Sequence, residues 1–210
     1  MIKDVEYFFN HPLIIGEKNE KWTLYKDRQF PEGNQHGGCI DFYPECISES
    51  KRGVEYIIKI LNEYKPKRIL EIGTNIGSFD IIVQELLPDC EVFTIDLFDF
   101  SERVTEINDY FGNKNIKFYK GDSTSFAFRS WIQHHKFDLA WIDANHSYDY
   151  IKNDIQICVD YKIPLIVLDD CSEKSYTDVN KVRKEFKELI EIGHSESPYL
   201  GAISLNKLII

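Results

Sequence analysis

Ile69-Leu70-Glu71-Ile72-Gly73-Thr74-Asn75-Ile76-Gly77-Ser78-Phe79 runs from an apolar segment through two glycines into a helix that begins near Ser78. Glycine lets the chain turn sharply and lets a ligand approach the backbone, while a helix N-terminus presents unpaired N–H groups. A strand, a glycine loop and a helix in that order make a ligand cradle. The plainer alternative is an ordinary strand-to-helix turn. The dinucleotide pattern G-x-G-x-x-G is not met: Asn75 stands where the middle glycine would be, and the last glycine falls one residue early, at Gly77. That spacing disfavours a dinucleotide oxidoreductase.

Outward from this stretch the pattern is regular. Upstream, Val54, Ile57, Ile58 and Leu61 recur at helical spacing until Lys65-Pro66 stops the helix. Downstream, short apolar runs alternate with helix-length segments: 68–72, 92–95, 116–119, 137–142 and 165–168. Such alternation implies βαβ crossovers and a parallel sheet covered on both faces. After a helix near 179–189, the segments 190–193 and 202–208 read as two strands joined by a loop with Pro198 and Gly201. The expected fold is therefore α/β, a doubly wound Rossmann-like sheet of seven strands, mostly parallel and closed by a C-terminal antiparallel hairpin. Residues 1–47, with Pro12, Pro31, Pro44 and four glycines, show no sustained period and read as an irregular cap rather than an independent domain. Residues 48–210 form the one domain.

Composition narrows the function classes. At 210 residues, 43% apolar and 29% charged, the chain is globular and sized for one core that buries about 70% of its unfolded surface. No apolar run is long enough to span a bilayer. Acids at Asp4 and Glu6 stand where a signal peptide needs a basic and then an apolar region, so a cytoplasmic protein is expected. With 25 basic against 35 acidic residues the net charge is −10, which makes nucleic acid a poor partner. Lys181, Arg183, Lys184 and Lys187 alternate with acids and read as a solvated helix face. Five cysteines, Cys39, Cys46, Cys90, Cys158 and Cys171, lack the spacing of a disulfide framework. His36-x-x-Cys39 with Cys46 has no second pair to complete a zinc site.

The ends of the next strands carry acids. Asp96 follows the second strand, 23 residues beyond Gly73, and is placed to accept both hydroxyls of a ribose. Gly121-Asp122-Ser123 follows the third strand, where an acid and a hydroxyl suit an adenine. Ligands bind open α/β sheets at these carboxyl ends. Any one of these residues can instead cap a helix, Asp122 and Ser123 above all.

Glu71-Ile-Gly73-Thr-Asn75-Ile-Gly77, Asp96, Gly121-Asp122-Ser123 and Phe137-Asp138-Leu-Ala-Trp-Ile-Asp143 resemble the successive motifs of class I S-adenosylmethionine-dependent methyltransferases, over about residues 49–210. The resemblance implies that Gly73, Thr74, Asn75, Gly77 and Ser78 face the methionine part of the cofactor. Glu71 would support the loop or the cofactor's amino group, Asp96 the ribose, Asp122 and Ser123 the adenine, and Asp143 would also touch the cofactor. Asn75 departs from the family's middle glycine.

Asp143-Ala-Asn145-His146-Ser-Tyr148 and Leu168-Asp169-Asp170 end the fourth and fifth strands. Asp143, Asp169 and Asp170 together make a hard oxygen site suited to Mg²⁺ or another divalent cation. Alternatively, Asp143 meets only the cofactor or caps a helix, and Asp170 caps another. The arrangement resembles metal-dependent small-molecule O-methyltransferases, particularly those acting on sugar hydroxyls. An alcohol needs proton removal or metal polarisation before it attacks, and His146, with Asp143, is the candidate catalytic residue. Its plainer role is a neutral imidazole at a helix start. His134 and His135 read as exposed, and His11 and His36 lie in the cap. The expected activity is methyl transfer from S-adenosylmethionine to a hydroxylated small molecule, a sugar among the candidates. A metal-independent methyltransferase or a non-catalytic cofactor-binding partner protein stands as the alternative. Family members of this size are often homodimers. Acceptor choice would lie in residues 1–47 and 171–178, whose aromatics either line a pocket or glue the cap to the core.

Overall fold

The computed structural model describes residues 3–15, 47–169, 177–186, 190–192 and 201–204. The cap residues 16–46, with His36, Cys39 and Cys46, lie outside the described residues, as do Asp170 and Cys171.

Two short helices, α1 (Val5–Phe9) and α2 (Pro12–Ile15), precede the long α3 (Ile47–Tyr64). Val54, Ile57 and Leu61 form the buried stripe of α3. It ends where Lys65 turns to φ 45° ahead of Pro66, a residue that disfavours helix in its predecessor. Strand β1 (Arg68–Ile72) leads into α4 (Ser78–Leu86), β2 (Glu91–Asp96), α5 (Ser101–Phe111) and β3 (Ile116–Lys120). Helix α6 (Phe126–Ile132), β4 (Leu139–Ile142), α7 (Tyr148–Asp160), β5 (Leu165–Leu168) and α8 (Thr177–Arg183) follow, then β6 (Ile190–Ile192) and β7 (Gly201–Ser204). The α/β expectation holds in the strands β1 to β5, which pair in parallel in the order β3-β2-β1-β4-β5. Beyond β5 the sheet continues through β7, antiparallel to β5, to β6.

The sheet separates two cores, and the period of two along each strand assigns its residues. Ile69, Val92, Leu139, Trp141, Leu165 and Val167 face α3, α4 and α5. Leu70, Ile72, Phe93, Ile95, Ala140, Ile142, Ile166 and Leu168 face α6, α7 and α8. Both faces are covered, which is why these strands are apolar throughout. Phe79 stacks on Trp141 at 4.7 Å between ring centroids. The same period puts Glu71 and Thr94 on the α4 side, as opposed neighbours in register.

Several boundaries differ from expectation. Strand β4 starts at Leu139 rather than Phe137, because the Asp138 carboxylate accepts the backbone N–H groups of Lys67 (2.8 Å) and Arg68 (3.0 Å) and clamps the entry to β1. Helix α8 ends at Arg183, short of 189. The cap of α6 is Ser125, whose hydroxyl accepts from Phe128 N–H at 3.1 Å; neither Asp122 nor Ser123 serves. Among the described residues, no helix is long and apolar enough to cross a membrane.

Candidate active site at the carboxyl edge of the sheet

Strand β1 lies at the centre of the parallel strands, with β2 and β3 on one side and β4 and β5 on the other. The chain order reverses between β1 and β4, and the crevice beyond their carboxyl ends is the ligand position of open α/β sheets. Gly73 sits in that crevice at φ 102°. A Cβ there would lie 2.0 Å from the Asp143 carbonyl oxygen, so only glycine lets the loop pass the end of β4. Gly77 precedes α4 at φ 74° and faces Ile107, whose Cδ1 would lie 2.6 Å from a Cβ. Asn75 takes a left-handed conformation (φ 46°) without glycine's help, which its short polar side chain tolerates.

The second-strand acid is built into this loop. Asp96 Oδ2 accepts from Asn75 N–H (3.0 Å), and Oδ1 from Phe98 N–H (2.9 Å). Burial raises its pKa while these backbone donors pull it down. Thr74 and Thr94 share a hydrogen bond of 2.6 Å between hydroxyls beneath the loop. At the end of β3, Asp122 Oδ1 accepts from both the N–H and the hydroxyl of Thr124, each at 2.8 Å, shaping a turn that leaves Ser123 largely buried. A hydrogen bond joins Ser123 to Asp154 of α7, an acid wholly buried and pushed up to about 6 by that burial.

At the ends of β4 and β5, Asp143, His146 and Asp169 converge. One ligand atom from each lies within 4.8 Å of the others, and all three are partly accessible. His146 Nε2 stands 3.8 Å from Asp143 Oδ1. Backbone bonds from Asp143 N–H to Ile72 O (2.9 Å) and from Asp169 N–H to Ile142 O (3.0 Å) continue the ladder and set these acids at the sheet edge. Two carboxylate oxygens and one imidazole nitrogen are a donor set that accepts a divalent cation. Asp170 lies outside the described residues.

Sequence reasoning named Glu71 but missed its partner behind the site, Asp80. Glu71 and Asp80 are both wholly buried, and no N–H or hydroxyl donor among the described residues reaches Glu71 Oε2 or either Asp80 oxygen. Burial, and then the charge of Asp80, hold the Glu71 carboxyl well above its ordinary range. Burial raises Asp80 to about 7, against the pull of its Glu71 hydrogen bond and of Arg103. Burial thus pushes both acids toward the protonated form, with a proton held between them. The available signal was Asp80 itself, a lone acid inside the apolar run Phe79–Val83. Ser78 Oγ is buried beside them with no partner among the described residues.

The remaining histidines separate by environment. His11 is buried, with Nε2 3.0 Å from Glu85 Oε1, so it anchors α1 and α2 to α4 rather than meeting a substrate. Phe8 and Phe9 are likewise buried in the core. His134 is exposed, whereas His135 packs on Phe93 at 4.2 Å and is not a free surface group.

Residues 70–171 match the profile of a family described as "Methyltransferase domain". The matched stretch contains the loop, Asp96, Asp122, Asp143, His146 and Asp169. Over that stretch the chain is similar to methyltransferase domains. Solved structures share this fold. The methyltransferase PaMTH1 of Podospora anserina, solved with S-adenosylhomocysteine, superposes with a TM-score of 0.63 at 17% identity, covering 93% of this chain and 88% of that one. CalS11, a TDP-rhamnose 3'-O-methyltransferase of calicheamicin biosynthesis, gives 0.62 at 11% identity, over 88% of this chain and 91% of its own. MycE of the mycinamycin pathway, solved with Mg and S-adenosylhomocysteine, gives 0.53 at 13% identity, over 79% of this chain and 50% of its own. The methyltransferase fold accounts for the placement of the acids at one sheet edge.

Proposed function

We propose that this methyltransferase acts on a hydroxyl of a small molecule, a sugar among the acceptors that fit, assisted by a divalent cation. The supporting observation is the convergence of Asp143, His146 and Asp169 at the ends of β4 and β5, across the crevice from Gly73. In this reading the loop from Gly73 to Gly77, with Thr74, Asn75 and Ser78, holds the methionine end of S-adenosylmethionine. Asp96 takes the ribose: its carboxylate stands at the carboxyl end of β2, oriented by the N–H groups of Asn75 and Phe98. Asp122 and Ser123 flank the adenine, and Glu71 supports the loop from beneath.

Asp143 and Asp169, with Asp170 next in sequence, would hold the cation. When bound, the cation supplies Lewis acidity that makes an alcohol hydroxyl easier to deprotonate. The chain's own part is to orient the acceptor for in-line attack, which is worth several kcal/mol of barrier. His146, beside Asp143 and Asp169, is the residue to take the acceptor proton. CalS11 and MycE lend the reading its acceptor class, since one is a sugar O-methyltransferase and the other was solved with Mg. The net charge of −10 supports a small acceptor over nucleic acid.

A metal-free reading has one observation behind it. His146 Nε2 lies 3.8 Å from Asp143 Oδ1, so the imidazole stands beside a carboxylate that stabilises its protonated form with no cation between them. Methyl transfer from labelled S-adenosylmethionine to a panel of hydroxylated acceptors, run with Mg²⁺ and with EDTA, distinguishes the two. Activity lost in EDTA and restored by Mg²⁺ supports the cation; full activity in EDTA leaves the metal-free reading.

A further inference from the structure

Arg103 is almost wholly buried on α5, and all three nitrogens of its guanidinium are engaged. Nε donates to the carbonyl of Ile76, inside the glycine loop, at 2.9 Å. Nη1 donates to Glu106 at 2.8 Å, and Nη2 donates to the carbonyl of Leu13 in α2. The Ile76–Gly77 peptide is therefore held at both ends, because Gly77 N–H donates to Thr74 O at 2.9 Å. One turn further along α5, Ile107 presses on Gly77 from the same helix face. The N-terminal segment is fixed in turn by Lys3 and His11, both on Glu85 of α4. A lone buried guanidinium is costly, and here it touches two backbone carbonyls and Glu106 and faces Asp80.

We propose that Arg103 is a positioning residue for cofactor binding, setting the Ile76–Gly77 peptide and tying the glycine loop to the N-terminal segment through Leu13. The inference rests on the reading that this loop holds S-adenosylmethionine. Arginine suits the role because its planar fork reaches several acceptors at once. A lysine, with donors on a single nitrogen, keeps the charge but cannot span Ile76, Leu13 and Glu106 together.

The test measures S-adenosylhomocysteine binding by calorimetry on the full chain, with thermal midpoint and amide hydrogen exchange recorded for each variant. Arg103→Met should weaken binding about tenfold or more, as for the loss of charge-assisted bonds at a ligand loop. Arg103→Lys, which keeps the charge and folds at a similar midpoint, should weaken binding by roughly threefold to tenfold, with faster exchange confined to residues 74–77 and 12–14. Should Arg103→Met fail to fold, Arg103→Lys alone decides. A folded Arg103→Lys protein with wild-type affinity and unchanged exchange overturns the inference. Glu85→Ala loosens the N-terminal anchor and should weaken binding in the wild-type background but add little to Arg103→Lys. Additive losses would overturn the tie to Leu13. A wild-type chain that binds no S-adenosylhomocysteine overturns the cofactor reading and this inference with it, whereas binding that fails only in Asp96→Ala leaves the reading standing and rejects Arg103.

Discussion

Glu71 and Asp80 face each other beneath the glycine loop, two acids from β1 and α4 that share a proton out of reach of solvent. Their pKa values are raised, so the folded state binds more protons than the unfolded chain between the two values. Stability from this pair is fully present below about pH 4 and is lost as pH rises toward the Asp80 value of about 7. Asp80→Asn removes that titration. Urea unfolding of the two proteins from pH 5 to pH 8 should show the variant gaining on wild type as pH rises, then holding a constant difference. A difference independent of pH would mean the two carboxyls do not share a proton.

Gly73 tests the backbone approach at the crevice. Gly73→Ala must relieve an approach of 2.0 Å to the Asp143 carbonyl and keep a φ of 102° that alanine resists. Moving that carbonyl displaces the end of β4, and Asp143 with it. The cost should be roughly 3 kcal/mol or more, from left-handed strain and overpacking together. Denaturant unfolding reads the stability, and calorimetry with S-adenosylhomocysteine should show no binding in whatever fraction folds.

Asp96 holds the loop through both of its oxygens and, in the cofactor reading, meets the ribose through the same two, so its substitutions should grade. Asp96→Ala removes the acceptors of Asn75 and Phe98 as well as the ribose contact, and should weaken S-adenosylhomocysteine by about 1.5–3 kcal/mol. Asp96→Asn keeps one oxygen and should lose less. Equal affinities across wild type and both variants, measured by calorimetry, would remove Asp96 from the cofactor site.

The sequence exposed what repeats or alternates and hid what depends on contact. The β1 and β5 boundaries were legible to the residue because both runs are apolar on two faces. Gly73 and Asp96 were legible because strand ends bring them to one edge. Arg103 and Asp154 were not, since each sits in a helix whose period gives no hint that a charged group turns inward, and Asp80 showed only as a lone acid in an apolar run. Only the neighbours across the fold, Glu71, Ile76 and Ser123, explain those three. His146 was legible as a candidate, but its convergence with Asp169 depends on β4 and β5 being adjacent. The role of His11 was hidden for the same reason: its partner Glu85 lies 74 residues away.

The last prediction separates the two roles open to His146. If Asp143 and Asp169 hold a cation, Asp169→Asn should abolish methyl transfer while leaving S-adenosylhomocysteine affinity nearly intact. Asp143→Asn should harm both, because its backbone closes against Gly73. His146 lies close enough to both acids to be a third ligand or a base. As a base, its removal in His146→Ala should lower kcat by roughly 10²–10⁴ at unchanged cation affinity, and the rate should lose its ascending limb near the histidine pKa of about 6.5. As a ligand, its removal should weaken Mn²⁺ binding, and excess Mn²⁺ should restore much of the rate. Kinetics at two Mn²⁺ concentrations across pH 5.5–8, beside Mn²⁺ titration of the variant, decide between them. An unaltered rate in His146→Ala would reject both roles and leave deprotonation to the cation or to water.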